Sequence, residues 1–313
     1  MGNKRNYGLP YMDSKSKIIN FICDNIPTCD TFVDLFCGGG SVTHYMIEQN
    51  RYNNYICNDV NYLIVDLLSK AMNPNRNQNE TLDFVSHDDF MTQRFIDGYI
   101  RYVWSFGNRG MTYIYSADKE PIKRMFHNAL FYGDYQSVRE HFGVDLSGIE
   151  SIYDLRHRML AMRRIVKEQR PEYYEISRLQ HVENINRIND VKFDTDDNII
   201  LFSEDYRNII VPEQSVVYCD IPYRGTGTYS NGNTKFDYDA FYEYALKSEH
   251  PIFISEYDMP NDFVCVDEID KKCFFKNYAS NIDTIERLYT TQKSLQIIND
   301  NPDIYMWNFK NGL

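Results

Sequence analysis

No stretch of 18 consecutive apolar residues occurs anywhere in the chain, and Met1-Gly2-Asn3-Lys4-Arg5 leads into polar sequence rather than an apolar signal core. A helical membrane span and a secretory leader are therefore not expected, and cytoplasmic residence is. The seven cysteines (23, 29, 37, 57, 219, 265 and 273) form no C-x-x-C pair and are odd in number. They read as reduced, mostly buried thiols rather than a disulfide framework. Internal repeats and coiled-coil heptads are missing as well. So is positive charge: 33 Lys and Arg stand against 45 Asp and Glu, a net of −12. That balance is awkward for binding nucleic acid, where phosphate contacts supply most of the non-specific affinity. What is present suffices for a packed core. With 313 residues, 43% of them hydrophobic and 15% aromatic, the chain can hold one α/β domain plus a sizeable insertion.

The acidity is unevenly spread. Residues 92–193 hold 16 basic against 13 acidic side chains, while the rest of the chain is strongly negative. Within 151–170 six basic residues face two acidic ones. There Ile152, Leu155, Met159, Met162 and Val166 have helical spacing, and Arg156, Arg163, Lys167 and Arg170 lie on another face. Such a face serves a solvated surface about as readily as it serves phosphates.

The most informative residues are Asp220-Ile221-Pro222-Tyr223, at the end of the apolar run Ser215 to Cys219. A short apolar run bounded by a polar turn reads as a buried strand, and ligands of open α/β sheets bind at the C-terminal strand edge. Asp220 offers a carboxylate, Ile221 a carbonyl, Pro222 a fixed φ and Tyr223 a ring face. Together they would hold an sp² amino group between two acceptors. Strand-to-loop junctions also use Asp and Pro simply to turn the chain. A second element argues against that plainer reading. Thr31 to Ser41 reads as a strand ending at Asp34, then Phe36 and the turn Gly38-Gly39-Gly40 into a helix at Ser41. Its glycines let a ligand approach the backbone, and its N–H groups can receive a carboxylate. The third glycine of a dinucleotide fingerprint is absent. Asp59, closing the strand-like run from Tyr55, stands where ribose hydroxyls are taken. A nucleoside carrying an amino-acid carboxylate and no pyrophosphate fits, and S-adenosylmethionine is such a molecule.

On these motifs the chain resembles a Dam-type N6-adenine DNA methyltransferase of bacteria or phages. Tyr11 and Lys15 match the family's N-terminal aromatic and lysine, and Asp34 to Ser41 its glycine loop. Asp59 matches its ribose-binding acid, Asp205 the acid near the cofactor's adenine amine, and residues 220–223 the catalytic D-P-P-Y. Further similarity lies in Trp104 to Gly110, Arg178 to Glu183 and Phe253 to Tyr257, followed by Met259 and Pro260. Two departures stand out: Ile221 replaces the commoner proline, and Asp13-Ser14 replace the usual glycines. The resemblance implies an α/β fold, a Rossmann-like methyltransferase sheet with a mainly helical inserted target-recognition domain. Residues 1–91 and 194–313 would form the catalytic part and 92–193 the insertion. It implies transfer of a methyl group from S-adenosylmethionine to adenine N6 of a base flipped out of double-stranded DNA, with no metal. A non-catalytic relative that binds S-adenosylmethionine and DNA, and enzymes acting on cytosine N4 or RNA adenine, are the alternatives. The sequence leaves open whether the chain stands alone or belongs to a restriction or phage system.

Strands are expected at 199–203, 215–219, 251–255, 263–269 and 284–290, the last two as an antiparallel hairpin, and helices within 3–26, at 41–50 and at 60–72. Residues 224–236 read as a glycine-rich loop that would either cover a flipped base or merely connect. Arg109 and Trp104 would read bases or shape their loop. Glu256 and Tyr257 would reach the site or pack beside it. Cys219 should point into the core, since its neighbour Asp220 points out.

Overall fold

The protein is described here as a computed structural model covering residues 7–12, 14–73, 83–191, 198–224, 236–273 and 282–307. In chain order the elements are α1 (Ile19–Asp24), β1 (Thr31–Asp34), α2 (Ser41–Glu48), β2 (Asn54–Asn58), α3 (Tyr62–Met72), α4 (His87–Gln93), α5 (Gly98–Val103), α6 (Glu120–Tyr132), α7 (Tyr135–Phe142), α8 (Leu155–Gln169), α9 (Gln180–Asp190), β3 (Asn198–Phe202), β4 (Ser215–Cys219), α10 (Tyr238–Lys247), β5 (Ile252–Glu256), β6 (Phe263–Cys273), β7 (Ile282–Thr291) and α11 (Gln292–Asp300). None of the described helices is long and apolar enough to cross a membrane.

The chain divides into two compact units. One comprises Met1–Gly8, Ser14–Ser69 and Phe193–Leu313, the other Leu9–Asp13 and Lys70–Lys192. The expected boundary at residue 91 therefore moves back. The reason is packing: Phe84 meets Trp104 edge-on at 5.1 Å and Phe90 lies 5.6 Å from Tyr113, all within the second unit. Among the described residues of 3–26, helix is limited to α1 and a single turn over Lys15–Lys17. Residues 9–13 are drawn into the second unit, where Leu9 is buried and its carbonyl accepts from Arg187 at 3.0 Å.

The first unit holds a seven-stranded sheet in the order β3-β2-β1-β4-β5-β7-β6. Strands β1 to β5 run parallel, and β7 enters antiparallel between β5 and β6. From β1 the chain winds outward through β2 to β3, then returns to place β4 on the other side of β1. This reversal opens a crevice at the C-terminal ends of β1 and β4, the ligand position of such sheets. Side-chain alternation supplies both faces. Phe32, Val216 and Tyr218 pack with Ile22, Met46 and Ile298 from α1, α2 and α11. Val33, Val217 and Cys219 pack with Phe241 and Ala245 of α10. Cys219 is thus a core thiol, with burial pushing its pKa well above the usual range.

The second unit is helical. Phe126, Leu130, Met162, Val166 and Val182 from α6, α8 and α9 form its core. The segment from Trp104 to Ile114 closes as a tight loop: Ile114 N–H donates to the Trp104 carbonyl at 2.9 Å and Phe106 N–H to that of Thr112 at 2.8 Å. Beside it runs a buried chain of polar rings. Tyr115 Oη lies 2.6 Å from His181 Nδ1, and His181 Nε2 lies 3.0 Å from His127 Nδ1.

Candidate active site

The glycine loop is built by the strands it leaves. Leu35 N–H still donates to the Tyr218 carbonyl at 3.0 Å and Cys37 N–H to that of Asn58 at 2.8 Å. Asn58, buried, spans three strand ends: its amide donates to the carbonyls of Leu35 and Glu204, both at 3.1 Å, and accepts from Glu204 N–H. Gly38 and Gly40 sit at φ 48° and 69°, a region that side chains with a Cβ rarely enter. Gly40 occupies the N-cap of α2, which no side chain caps. Asp59 braces the loop by accepting from Gly38 N–H at 2.9 Å and Asn61 N–H at 2.8 Å. Burial outweighs these bonds and raises its carboxyl to about 6.

An N-terminal strap is pressed against the same loop. Gly8, at φ 70°, lies so close that a Cβ there would stand 2.5 Å from the Gly39 carbonyl oxygen and 2.7 Å from Ser41 N. Its N–H donates to His44 Nδ1 at 3.1 Å, which leaves the proton of a neutral imidazole on Nε2, 3.2 Å from Glu48 Oε1. Under the loop, Asp34 is buried. Thr43 Oγ1 donates to its Oδ2 at 2.8 Å, while Oδ1 has no hydrogen-bond partner among the described residues. Burial raises this carboxyl to about 8. A buried, half-satisfied acid beside a loop rich in N–H groups can receive a group carrying both charges of an amino acid.

Across the crevice, Asp220 follows β4, and its Oδ1 lies 2.7 Å from the buried Lys15 Nζ. That ammonium also stands 3.5 Å from Glu286 Oε1 and 4.4 Å from the centre of the Tyr223 ring. Tyr223 donates its phenol to Glu286 Oε1 and meets Tyr257 edge-on at 4.5 Å. Tyr238 Oη donates to the Pro222 carbonyl at 2.9 Å, and Ile221 is buried against the α10 side of the sheet. Glu256, at the end of β5, is buried; its Oε1 accepts from Tyr257 N–H at 3.1 Å, and burial raises its carboxyl to about 7.

Lys15, Asp34, Gly38 to Ser41, Asp59 and residues 220–223 thus all belong to the strand-end region of one unit. Lys15, expected from the resemblance to touch the cofactor, is paired here with Asp220. Phe36 packs against Tyr206, Phe236 and Phe241. Asp205 has both carboxylate oxygens on Arg207, at 2.8 and 2.6 Å, which holds it below the usual carboxylate range. Tyr11 belongs to the second unit, edge-on to Tyr102 at 5.1 Å. So do the four expected DNA contacts. Arg109 is exposed, Arg156 pairs with Asp190, and Arg163 and Lys167 lie 4.3 and 5.3 Å from the Tyr174 ring. Trp104 is wholly buried, stacked on His181 at 4.1 Å, so it builds the loop core. Most of the 224–236 loop lies outside the described residues.

Sequence reading missed Gly8, His44, Thr43, Asn58 and Glu286. For Glu286 a signal existed: it shares the strand alternation of Leu288 and Thr290, so the parity that buries those two also buries a carboxylate.

No curated protein matches the chain. Among similar solved structures is the rRNA methyltransferase aviRa from Streptomyces viridochromogenes, at 13% sequence identity over 90% of this chain and 85% of that one. The TM-score is 0.32. The model of one family, the D12 class N6 adenine-specific DNA methyltransferases, matches residues 11–290. With the sheet, the glycine loop and the Asp-Ile-Pro-Tyr strand end in place, the chain belongs to the D12 class of N6 adenine-specific DNA methyltransferases.

Proposed function

We propose that this DNA adenine-N6 methyltransferase takes its methyl group from S-adenosylmethionine held at the glycine loop, and delivers it to an adenine swung out of double-stranded DNA onto Tyr223. One observation carries the reading: β1 and β4 are adjacent, with Asp34 in register with Tyr218, so the loop after β1 and the Asp220 to Tyr223 segment flank one crevice. The residues fit the donor. Asp34 Oδ1, buried and unpaired, suits its ammonium group. The N–H groups at the uncapped start of α2 suit its carboxylate, Asp59 its ribose, and Phe36 with Asp205 its adenine. When bound, S-adenosylmethionine supplies an electrophilic methyl group.

The chain's own residues do the rest. Tyr223 presents a ring face to the extruded base, which no enzyme can methylate at N6 while it is stacked in the duplex. Asp220 and the Ile221 carbonyl accept the two amino hydrogens and so turn the nitrogen lone pair out of the ring. A carboxylate offers about four acceptor sites, so Lys15 on Oδ1 does not exhaust Asp220. Once N6 carries the methyl, Asp220 receives its surplus proton. Positioning and charge placement are then the whole of catalysis. The second unit, which includes most of the expected 92–193 insertion, is assigned to target recognition, with Arg109, Arg156, Arg163 and Lys167 as contacts to DNA.

The test is methylation-aware sequencing of DNA from cells expressing the chain or Asp220→Ala, with calorimetry of both proteins against S-adenosylmethionine. The expected result is N6-methyladenine at a defined sequence from the parent chain, none from Asp220→Ala, and donor binding by both. Methylation by Asp220→Ala would remove Asp220 from the mechanism, and a parent chain that binds no donor would end the reading.

A further inference from the structure

We propose that Glu286 is a positioning residue of methyl transfer, fixing the Tyr223 ring through its phenol and taking up Lys15 when adenine engages Asp220. The inference rests on the roles given above to Asp220 and Tyr223 and assigns a third residue to the same site.

Glu286 lies on β7, the antiparallel strand between β5 and β6, and is wholly buried. Its strand neighbours of the same parity, Leu288 and Thr290, show that the sheet does not need a carboxylate on this face. A charge taken from water is tolerated only with partners, and those of Glu286 include two of the functional groups themselves. Its Oε1 accepts the Tyr223 phenol and lies 3.5 Å from Lys15 Nζ. Lys15 in turn reaches Asp220 at 2.7 Å and sits over the Tyr223 ring at 4.4 Å. Lys15, Glu286 and Tyr223 thus contact one another and Lys15 ties Asp220 to them, so the N-terminal turn, the end of β4 and β7 bring together two carboxylates and one ammonium.

Two consequences follow. A tyrosine tied at its phenol and flanked by the Tyr257 edge presents one ring plane rather than several, so a base stacking on it meets a preset surface. In addition, an amino group that donates to Asp220 shares that carboxylate with Lys15 and weakens the lysine's hold on it. Glu286 Oε1, 3.5 Å from the same ammonium, is a second carboxylate within its reach. Glu286 lets it shift between two carboxylates with its charge always matched.

The test uses the full chain, S-adenosylmethionine and a duplex bearing the site found by sequencing, with Glu286→Gln, Glu286→Ala, Asp220→Ala and Lys15→Gln as variants. Glu286→Gln keeps the volume and an oxygen for the phenol, so it remains informative if Glu286→Ala fails to fold. The expected result is a single-turnover rate about 10- to 100-fold lower for Glu286→Gln at saturating donor and DNA. Its donor affinity should stay within about twofold of the parent. Against a Lys15→Gln background the same substitution should cost less than about threefold, since there is no cation left to match. With 2-aminopurine at the target position, Glu286→Ala should leave the extruded base brighter than the parent does, because stacking on Tyr223 quenches it. Parent-like rate and emission in both Glu286 variants, with Asp220→Ala inactive, would overturn the role of Glu286 and leave the wider reading standing. Losses that follow only the folded fraction, with unchanged emission, would also overturn it. An active Asp220→Ala would instead bring down the reading beneath.

Discussion

Replacing Gly8 by alanine tests whether the N-terminal strap shapes the donor loop. The added Cβ would lie 2.5 Å from the Gly39 carbonyl oxygen, 2.7 Å from Ser41 N and 2.8 Å from Ser41 Cα, all backbone atoms with no rotamer to yield. At φ 70° the alanine also occupies the left-handed region, a cost of about 1–2 kcal/mol. Relieving such an overlap in packed structure costs about 1–3 kcal/mol more. The sum, about 2–5 kcal/mol, corresponds to a melting temperature lower by about 4–20 °C for a unit of this size. If the strap lifts instead, His44 Nδ1 loses its donor and the loop its brace. A penalty of about 2 kcal/mol falling on the loop would then weaken donor binding about 30-fold. Thermal melts and calorimetry with S-adenosylmethionine read both effects. Gly148→Ala is the control: it too has positive φ, 100°, but no atom lies within 4 Å of its Cβ position. It should cost only the backbone strain and leave donor affinity unchanged. A Gly8→Ala protein that melts within about 1 °C of the parent and binds the donor equally well would refute the argument.

Asp34 makes donor binding a proton-linked event. Burial raises its carboxyl from 3.8 to about 8, so the neutral acid contributes stability that is whole below about pH 4 and lost as pH rises through about 8. Pairing with the donor's ammonium demands the charged form, so binding at pH 7 should release close to one proton. Calorimetry in buffers of different ionisation enthalpy measures this, and release by Asp34→Asn equal to the parent's would contradict the assignment. His181 works in the opposite sense: burial first, then His127 and Lys123, hold its pKa well below 6.5. It contributes stability present above about pH 6.5 and lost as pH falls. Melts of the second unit should therefore drop between pH 7.5 and pH 5, and His181→Gln should flatten that slope; an unchanged slope would count against it. Arg207→Ala should tighten donor binding by up to about fivefold, the worth of an exposed ion pair, because it releases Asp205. Weaker binding in that variant would show that Arg207 presents Asp205 rather than competing for it.

How much was legible in the sequence depended on how far each signal reached along the chain. The apolar runs ending at Asp34, Asn58 and Cys219 announce β1, β2 and β4, since a strand buried on both faces is mostly apolar. The glycines after β1 and the Asp-Ile-Pro-Tyr segment after β4 depend only on local backbone geometry, and both stand where local reading puts them. The expected first helix is short for the opposite reason. Leu9 and Tyr11 are claimed by contacts in the second unit, and tertiary packing overrides a helical tendency of a few tenths of a kcal/mol per residue.

By itself, then, the sequence determined the strands, the two ligand-facing strand ends and the class of chemistry, because each is written in consecutive residues. Only the tertiary structure decided which side chains share charge. Lys15, Glu286 and Asp220 are remote in sequence, and nothing local says that β7 enters antiparallel beside β5 and brings its buried carboxylate to the lysine and the tyrosine. The same holds for Gly8 against Gly39 and for the missing partner of Asp34 Oδ1. Burial and pairing depend on what the folded chain places within a few ångströms, and strand order, not sequence neighbourhood, sets that.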